Sequence, residues 1–110
     1  MVQQQQALDA CIRACLDCLT ACETCVDCCL GNAQMAECLR LCLDCAAICQ
    51  DCARAMARGS HHAGKWCAFC ADICDACAAE CGKFSEQACK DCAQACRHCV
   101  QECRGVAKAA

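Results

Sequence analysis

The chain has 110 residues, about one domain's worth, with ten basic and thirteen acidic residues for a net charge of −3. That scattered balance, with Trp66, Phe69 and Phe84 as the only aromatics, gives no electrostatic or stacking case for nucleic acid. No run reaches the ~18 apolar residues of a membrane span, so neither nucleic acid nor membrane is expected as a partner.

Twenty-two residues are cysteine, which in a short chain is ordinarily the mark of a secreted disulfide scaffold. The opening MVQQQQALDACIRAC has no basic start, apolar run or small-residue cleavage site. The expectation is therefore a cytoplasmic chain whose thiols stay reduced.

The first predicted helix covers about residues 5–30, with Gln3 to Gln6 expected as a frayed first turn. It carries Cys11, Cys15, Cys18, Cys22, Cys25, Cys28 and Cys29, at steps of 4, 3, 4, 3, 3 and 1. Gly31 follows as a helix stop, and Asn32 stands ready to cap the next segment. The second helix, about 34–57, carries Cys38, Cys42, Cys45, Cys49 and Cys52. Gly59 and Ser60 repeat the stop-and-cap pair before a third helix at about 62–81, with Cys67, Cys70, Cys74, Cys77 and Cys81. Gly82 and Ser85 precede the fourth, about 86–105, with Cys89, Cys92, Cys96, Cys99 and Cys103. There is no proline, and apolar residues nowhere alternate as they would on a strand.

Within the last three segments every step is 3 or 4, so the thiols take heptad positions a and d. Across the chain, 21 of the 22 cysteines fall there, and Cys28 alone falls at g. Short connections make successive helices antiparallel. The fold class is thus all-α: one up-down-up-down four-helix bundle over 1–110, with a cysteine-lined core. Ile12, Leu19 and Val26 at e, and Leu41 and Ile48 at g, form aliphatic shoulders to the seam. Asp17, Asp44, Asp51 and Asp91 fall at c, on a solvated outer face. Leu16, Leu43 and Phe69 point outward and mark a subunit interface.

So many thiols are not a packing choice, since leucine there would bury more apolar area and would not oxidise. Thiols three or four apart on one helix point the same way, a poor start for disulfide geometry. Metal binding remains. Iron–sulfur clusters are usually wrapped by cysteines on a loop, and each zinc tetrathiolate leaves two uncompensated negative charges in a low-dielectric core. Cu(I) is soft, takes two or three thiolates, and leaves the interior neutral at about one ion per thiolate. Its opposed sulfurs sit roughly 4.5 Å apart, near the spacing of i, i+4 side chains. The pairs so placed are Cys11/Cys15, Cys18/Cys22, Cys25/Cys29, Cys38/Cys42, Cys45/Cys49, Cys70/Cys74, Cys77/Cys81, Cys92/Cys96 and Cys99/Cys103. The spacing thus points to thiolate metal binding, with Cu(I) the ion that fits it better; a thiolate Zn(II) buffer and an iron–sulfur redox protein are the alternatives. No nucleophile–base pair or phosphate loop supports catalysis.

The stretches ACIRACLDCLTAC, CAFCADICDACAAECGK and CKDCAQACRHCVQECR resemble segments of the cytosolic copper storage proteins, over nearly the whole chain. The resemblance implies a bundle holding many Cu(I) ions, a homotetramer, no catalytic turnover, and C-x3-C pairs as main copper sites. A copper chaperone that delivers or receives the ions is a further expected partner. Members of that family tend to carry histidine or methionine at the end where copper enters. Here the loops after the first and third helices share an end that contains no histidine, and Met35 and Cys28 are its soft ligands. Cys28 is expected to serve an end site that hands copper in or out. His61, His62 and Met56 gather at the opposite end, beside Cys67 and Cys11, and with Met35 are the candidate end-site ligands, so either end is open as the one that admits copper. Met35 and Met56 extend the a positions, with a core role and a soft thioether contact, and His98 falls at c, on the surface.

Overall fold

The computed structural model describes residues 2–109 and shows four α-helices, with no strand among the described residues. They are α1 (Val2–Cys29), α2 (Ala36–Ala57), α3 (Ala63–Cys81) and α4 (Gln87–Ala109), with a 3₁₀ turn at Ala33–Met35 leading into α2. Each helix packs beside its sequence neighbours, and α4 returns to α1, giving the antiparallel square that short loops dictate. The bundle is a rod measuring 46 × 18 × 17 Å.

The helix ends follow local chemistry. After α2, the N–H of Ser60 donates to the Ala55 carbonyl at 2.9 Å and that of Gly59 to Met56 at 3.1 Å. This pair of bonds is a Schellman closure, and it requires the left-handed φ of +68° that Gly59 supplies. Gly31 plays the same part after α1 at φ +78°. Gly82 does not, for its φ is −63°. Asn32 caps the 3₁₀ turn, its Oδ1 accepting from Gln34 N–H at 3.0 Å, and Ser60 Oγ accepts from His62 N–H at 3.0 Å. Before α4 it is the Glu86 carbonyl, not Ser85, that receives the first amides, from Cys89 and Lys90.

Two boundaries differ from the sequence reading. Helix α1 runs unbroken through the glutamines expected to fray, where Gln5 Nε2 donates to Asp9 Oδ1 at 3.0 Å along the exposed face. Helix α4 continues past 105 to Ala109, through Gly105. Val106 and Ala107 are half-buried against the core, and that burial offsets the roughly 1 kcal/mol which glycine costs inside a helix.

The heptad register holds. All cysteines except Cys28 are buried, at 0–1 % exposure. Ile12, Leu19, Val26 and Leu41 are half-buried against them, and Ile48 is buried outright. Small alanines such as Ala46, Ala71, Ala78 and Ala93 fill the remaining inner positions, which lets the helices close on a narrow sulfur seam. Asp17, Asp44, Asp51 and Asp91 are exposed, as are Leu16, Leu43 and Phe69.

A candidate metal centre built from sulfur

Because a and d positions converge from four helices, each thiol meets thiols of other helices as well as its own. The shortest contacts cross between helices: Cys38–Cys81 at 3.3 Å, Cys45–Cys74 at 3.4 Å and Cys11–Cys103 at 3.5 Å. Cys18 reaches Cys96 at 3.6 Å, and Cys52 reaches Cys67 at 3.6 Å. Even diagonal helices touch, through Cys45–Cys96 at 3.8 Å and Cys42–Cys92 at 3.9 Å.

Pairs one turn apart are close too. Cys70/Cys74, Cys77/Cys81 and Cys99/Cys103 lie at 3.8 Å, Cys92/Cys96 at 3.9 Å and Cys45/Cys49 at 4.0 Å. The sequence picked out these pairs but not the interhelical contacts, which depend on how far one helix slides along the next. The C-x3-C spacing is thus one edge of larger groups. Cys15, Cys52, Cys70 and Cys103 contribute one sulfur from each helix, all within 4.8 Å of one another, and Cys25, Cys42, Cys81 and Cys92 do the same further along. Cys18, Cys45, Cys49 and Cys74 form another such group, which shares Cys18 and Cys45 with that of Cys18, Cys22, Cys45 and Cys96. The sites form one continuous stack with shared corners.

The spacing suits a soft ion. Metal–sulfur bonds of roughly 2.3 Å put sulfurs about 4.0 Å apart in a trigonal site and about 4.6 Å apart in a linear one. The contacts of 3.6–3.9 Å need to open by only a few tenths of an ångström for the first geometry, and the shortest, Cys38–Cys81 at 3.3 Å, by about 0.7 Å. No polar or charged residue is buried with the thiols among the described residues. No cation is at hand to balance excess thiolate charge, which a divalent tetrathiolate would create and a monovalent ion would not.

Proton affinity follows from burial. Near the α1–α2 loop, burial pushes the thiols of Cys25, Cys29, Cys38 and Cys89 above the ordinary thiol value. Deeper in the stack, hydrogen bonds between thiols dominate and split the partners: the Cys103 thiol pulls Cys99 down, while the hydrogen bond to Cys11 pushes Cys103 up. Metal loading must displace protons from such thiols, so it is coupled to acid release.

The two ends of the stack differ. At one, thiols reach the helix termini: Cys29 and Cys81 are the last residues of α1 and α3, and Cys38 and Cys89 lie in the first turns of α2 and α4. Cys28, the one cysteine that is not buried, lies here, and so does Met35, which is buried. At the other end α1 starts at Val2, roughly two and a half turns before Cys11. There Leu8, Trp66 and Val106 pack against the core. Met56 is buried, and Cys67 Sγ donates to its Sδ at 3.6 Å. His61 and His62 are exposed on the connection outside, and His98 is exposed on α4. No described contact ties any of the three to the sulfur stack.

Sulfur donors converging from four helices, in a core without buried charge, define a thiolate metal-binding bundle. No curated protein matches the sequence, but a family model described as copper storage protein matches residues 4–108. The chain belongs to the copper storage protein family. Among solved structures, apo copper storage protein 3 from Bacillus subtilis is 44% identical, with a TM-score of 0.86, over 90% of this chain and 97% of that one. Its Cu(I)-bound form gives 42% identity and a TM-score of 0.88, over 92% and 98% of the two chains. The cytosolic copper storage protein from Streptomyces lividans with five coppers gives 32% identity and a TM-score of 0.94, over 98% of both chains. The all-α four-helix bundle with a cysteine-lined core is therefore the fold that the sequence predicted.

Proposed function

We propose that residues 1–110 act as one cytoplasmic store for many Cu(I) ions, held by the core cysteines without catalytic turnover. The observation that carries this reading is a buried stack of mutually touching thiols with no buried cation among the described residues. A soft monovalent ion at about one per thiolate fills such a core without net charge. The same observation disfavours a zinc buffer, and the absence of a cluster-wrapping loop in the sequence disfavours an iron–sulfur centre. That no helix is long and apolar enough to cross a membrane, and that the Streptomyces relative is cytosolic, both support the location.

The end bearing Cys28 is the port. Thiols there stand at the helix termini, and Cys28 offers a half-exposed sulfur beside them. The absence of histidine from its loops leaves Cys28 and Met35 as its soft donors. A copper chaperone docking at this end would exchange ions with Cys28. Leu16, Leu43 and Phe69, exposed at 45, 49 and 56 %, support assembly into the homotetramer through their helix faces.

Anaerobic titration of the reduced protein with Cu(I) against a competing chelator tests the storage reading. Tight uptake of many equivalents, between half and one per cysteine, is the expected outcome. Saturation at four or five Zn(II), with weak Cu(I) binding, would refute it. Cys28→Ser should slow loading from a Cu(I)-donor complex while sparing core capacity. An unchanged loading rate removes Cys28 from the port.

A further inference from the structure

Opposite the port, the sulfur stack ends on a thioether. Met56 is 3 % exposed, and Cys67 Sγ donates to its Sδ at 3.6 Å, while Cys67 also touches Cys52 at 3.6 Å. Cys52 and Met56 are one turn apart on α2, so their side chains lie on the same helix face. Cys67 approaches from α3. We propose that Cys52, Cys67 and Met56 form a mixed thiolate–thioether Cu(I) site that terminates the store at its closed end.

Three features support this arrangement. The two contacts of 3.6 Å need to lengthen by only a few tenths of an ångström to reach the sulfur spacing of about 4.0 Å around a trigonal ion. Met56 is held in place by its backbone, since its carbonyl accepts the Gly59 N–H in the turn that closes α2. The third feature is charge. A thioether gives a lone pair without bringing a negative charge, so copper with one thiolate, one thiol and Met56 is neutral in a core that holds no buried cation among the described residues. Binding there breaks an S–H bond at Cys52 or Cys67 and releases that proton to solvent. Met56 loses no proton, and copper remains Cu(I) throughout. Met35 at the port is as deeply buried, yet no described hydrogen bond joins its sulfur to a thiol, so the pairing is particular to Met56.

The site rests on the Cu(I)-storage reading, and selenium separates the two. Protein carrying Met35→Leu, grown with selenomethionine, keeps selenium at Met56 and at Met1. After anaerobic loading to saturation, copper-edge absorption reports the Cu–S shell, and selenium-edge absorption reports whether copper is bonded to selenium. The expected result is a Cu–Se shell that disappears in Met35→Leu/Met56→Leu, while the Cu–S shell persists in both. Leucine matches methionine in volume and has no donor atom, so packing is kept. A strong Cu–S shell without a Cu–Se shell, or a Cu–Se shell that survives Met56→Leu, overturns the site and leaves storage intact. Failure of the unsubstituted protein to take up copper at all overturns both.

Discussion

Cys45 is, with Cys81 and Cys92, among the most connected thiols of the stack, so replacing it by serine probes stability and storage together. Its Sγ touches Cys74 at 3.4 Å, Cys18 at 3.7 Å, Cys96 at 3.8 Å and Cys49 at 4.0 Å. Serine keeps the shape but exchanges a weakly polar S–H for a hydroxyl. That hydroxyl would be fully buried and surrounded by thiols, which are weak acceptors. A buried hydroxyl without a good partner costs about 1–3 kcal/mol. A chain of 110 residues has an unfolding entropy of about 0.23 kcal/mol/K, so Tm of the reduced apo protein should fall by about 4–13 °C. Cys45 also belongs to at least two of the four-sulfur groups, and its loss should lower Cu(I) capacity by at least one ion. The assay is a thermal melt under reductant, paired with the chelator-competed titration. Cys28→Ser is the control: at a half-exposed position its Tm should move by no more than about 2 °C, in line with a surface change of ±0.5 kcal/mol. A Tm loss below about 2 °C in Cys45→Ser would show that the thiol network is indifferent to its donors. Unchanged copper capacity would show that the shared-corner stack is not where copper binds.

Three other outcomes follow from the same structure. Burial raises the thiols of Cys25, Cys29, Cys38 and Cys89, so the folded state favours their protonated form. The stability that this contributes is whole below the unfolded thiol value of about 8.5 and is lost as pH rises beyond it. Urea midpoints of reduced apo protein should accordingly decline from pH 8 upward, and a midpoint that holds to pH 10 contradicts the assignment. Gly59→Ala forces a side chain into φ +68° with open space around its Cβ, so backbone strain alone should cost about 1–2 kcal/mol, seen as a lower Tm. Copper loading should acidify weakly buffered solution by about one proton for each thiolate formed, and a pH-stat trace without acid release would contradict thiol coordination.

The sequence made the inside of this bundle legible because sulfur replaces leucine at a period of 3.5, so that Cys11 to Cys103 declare the inward face directly. The exception at Cys28 was visible for the same reason. The interhelical partners were not. Nothing in the local pattern says that Cys38 meets Cys81 rather than Cys77, since that depends on the axial offset of α2 against α3. Helix α4 runs past its expected end at about 105 because the burial of Val106 and Ala107 is a tertiary effect that no local pattern carries. Ser85 lost its capping role to the Glu86 backbone carbonyl because loop geometry, not side-chain chemistry, chose the first amide acceptor. Met56 could be placed on the seam by its heptad position, but only the packing of α3 showed that it faces a thiol.

The interhelical sulfur contacts have a consequence for the lifetime of the protein. Cys11 and Cys103 are 92 residues apart in the chain, and Cys38 and Cys81 are 43 apart. An ion bridging either pair closes a long loop, as a disulfide would, and restrains the unfolded chain accordingly. Each ion that bridges two helices thus adds a reversible cross-link between them, and resistance to proteolysis should rise with such cargo. An empty bundle should therefore fall to protease sooner than a full one, so the amount of copper held should also govern how long its container survives.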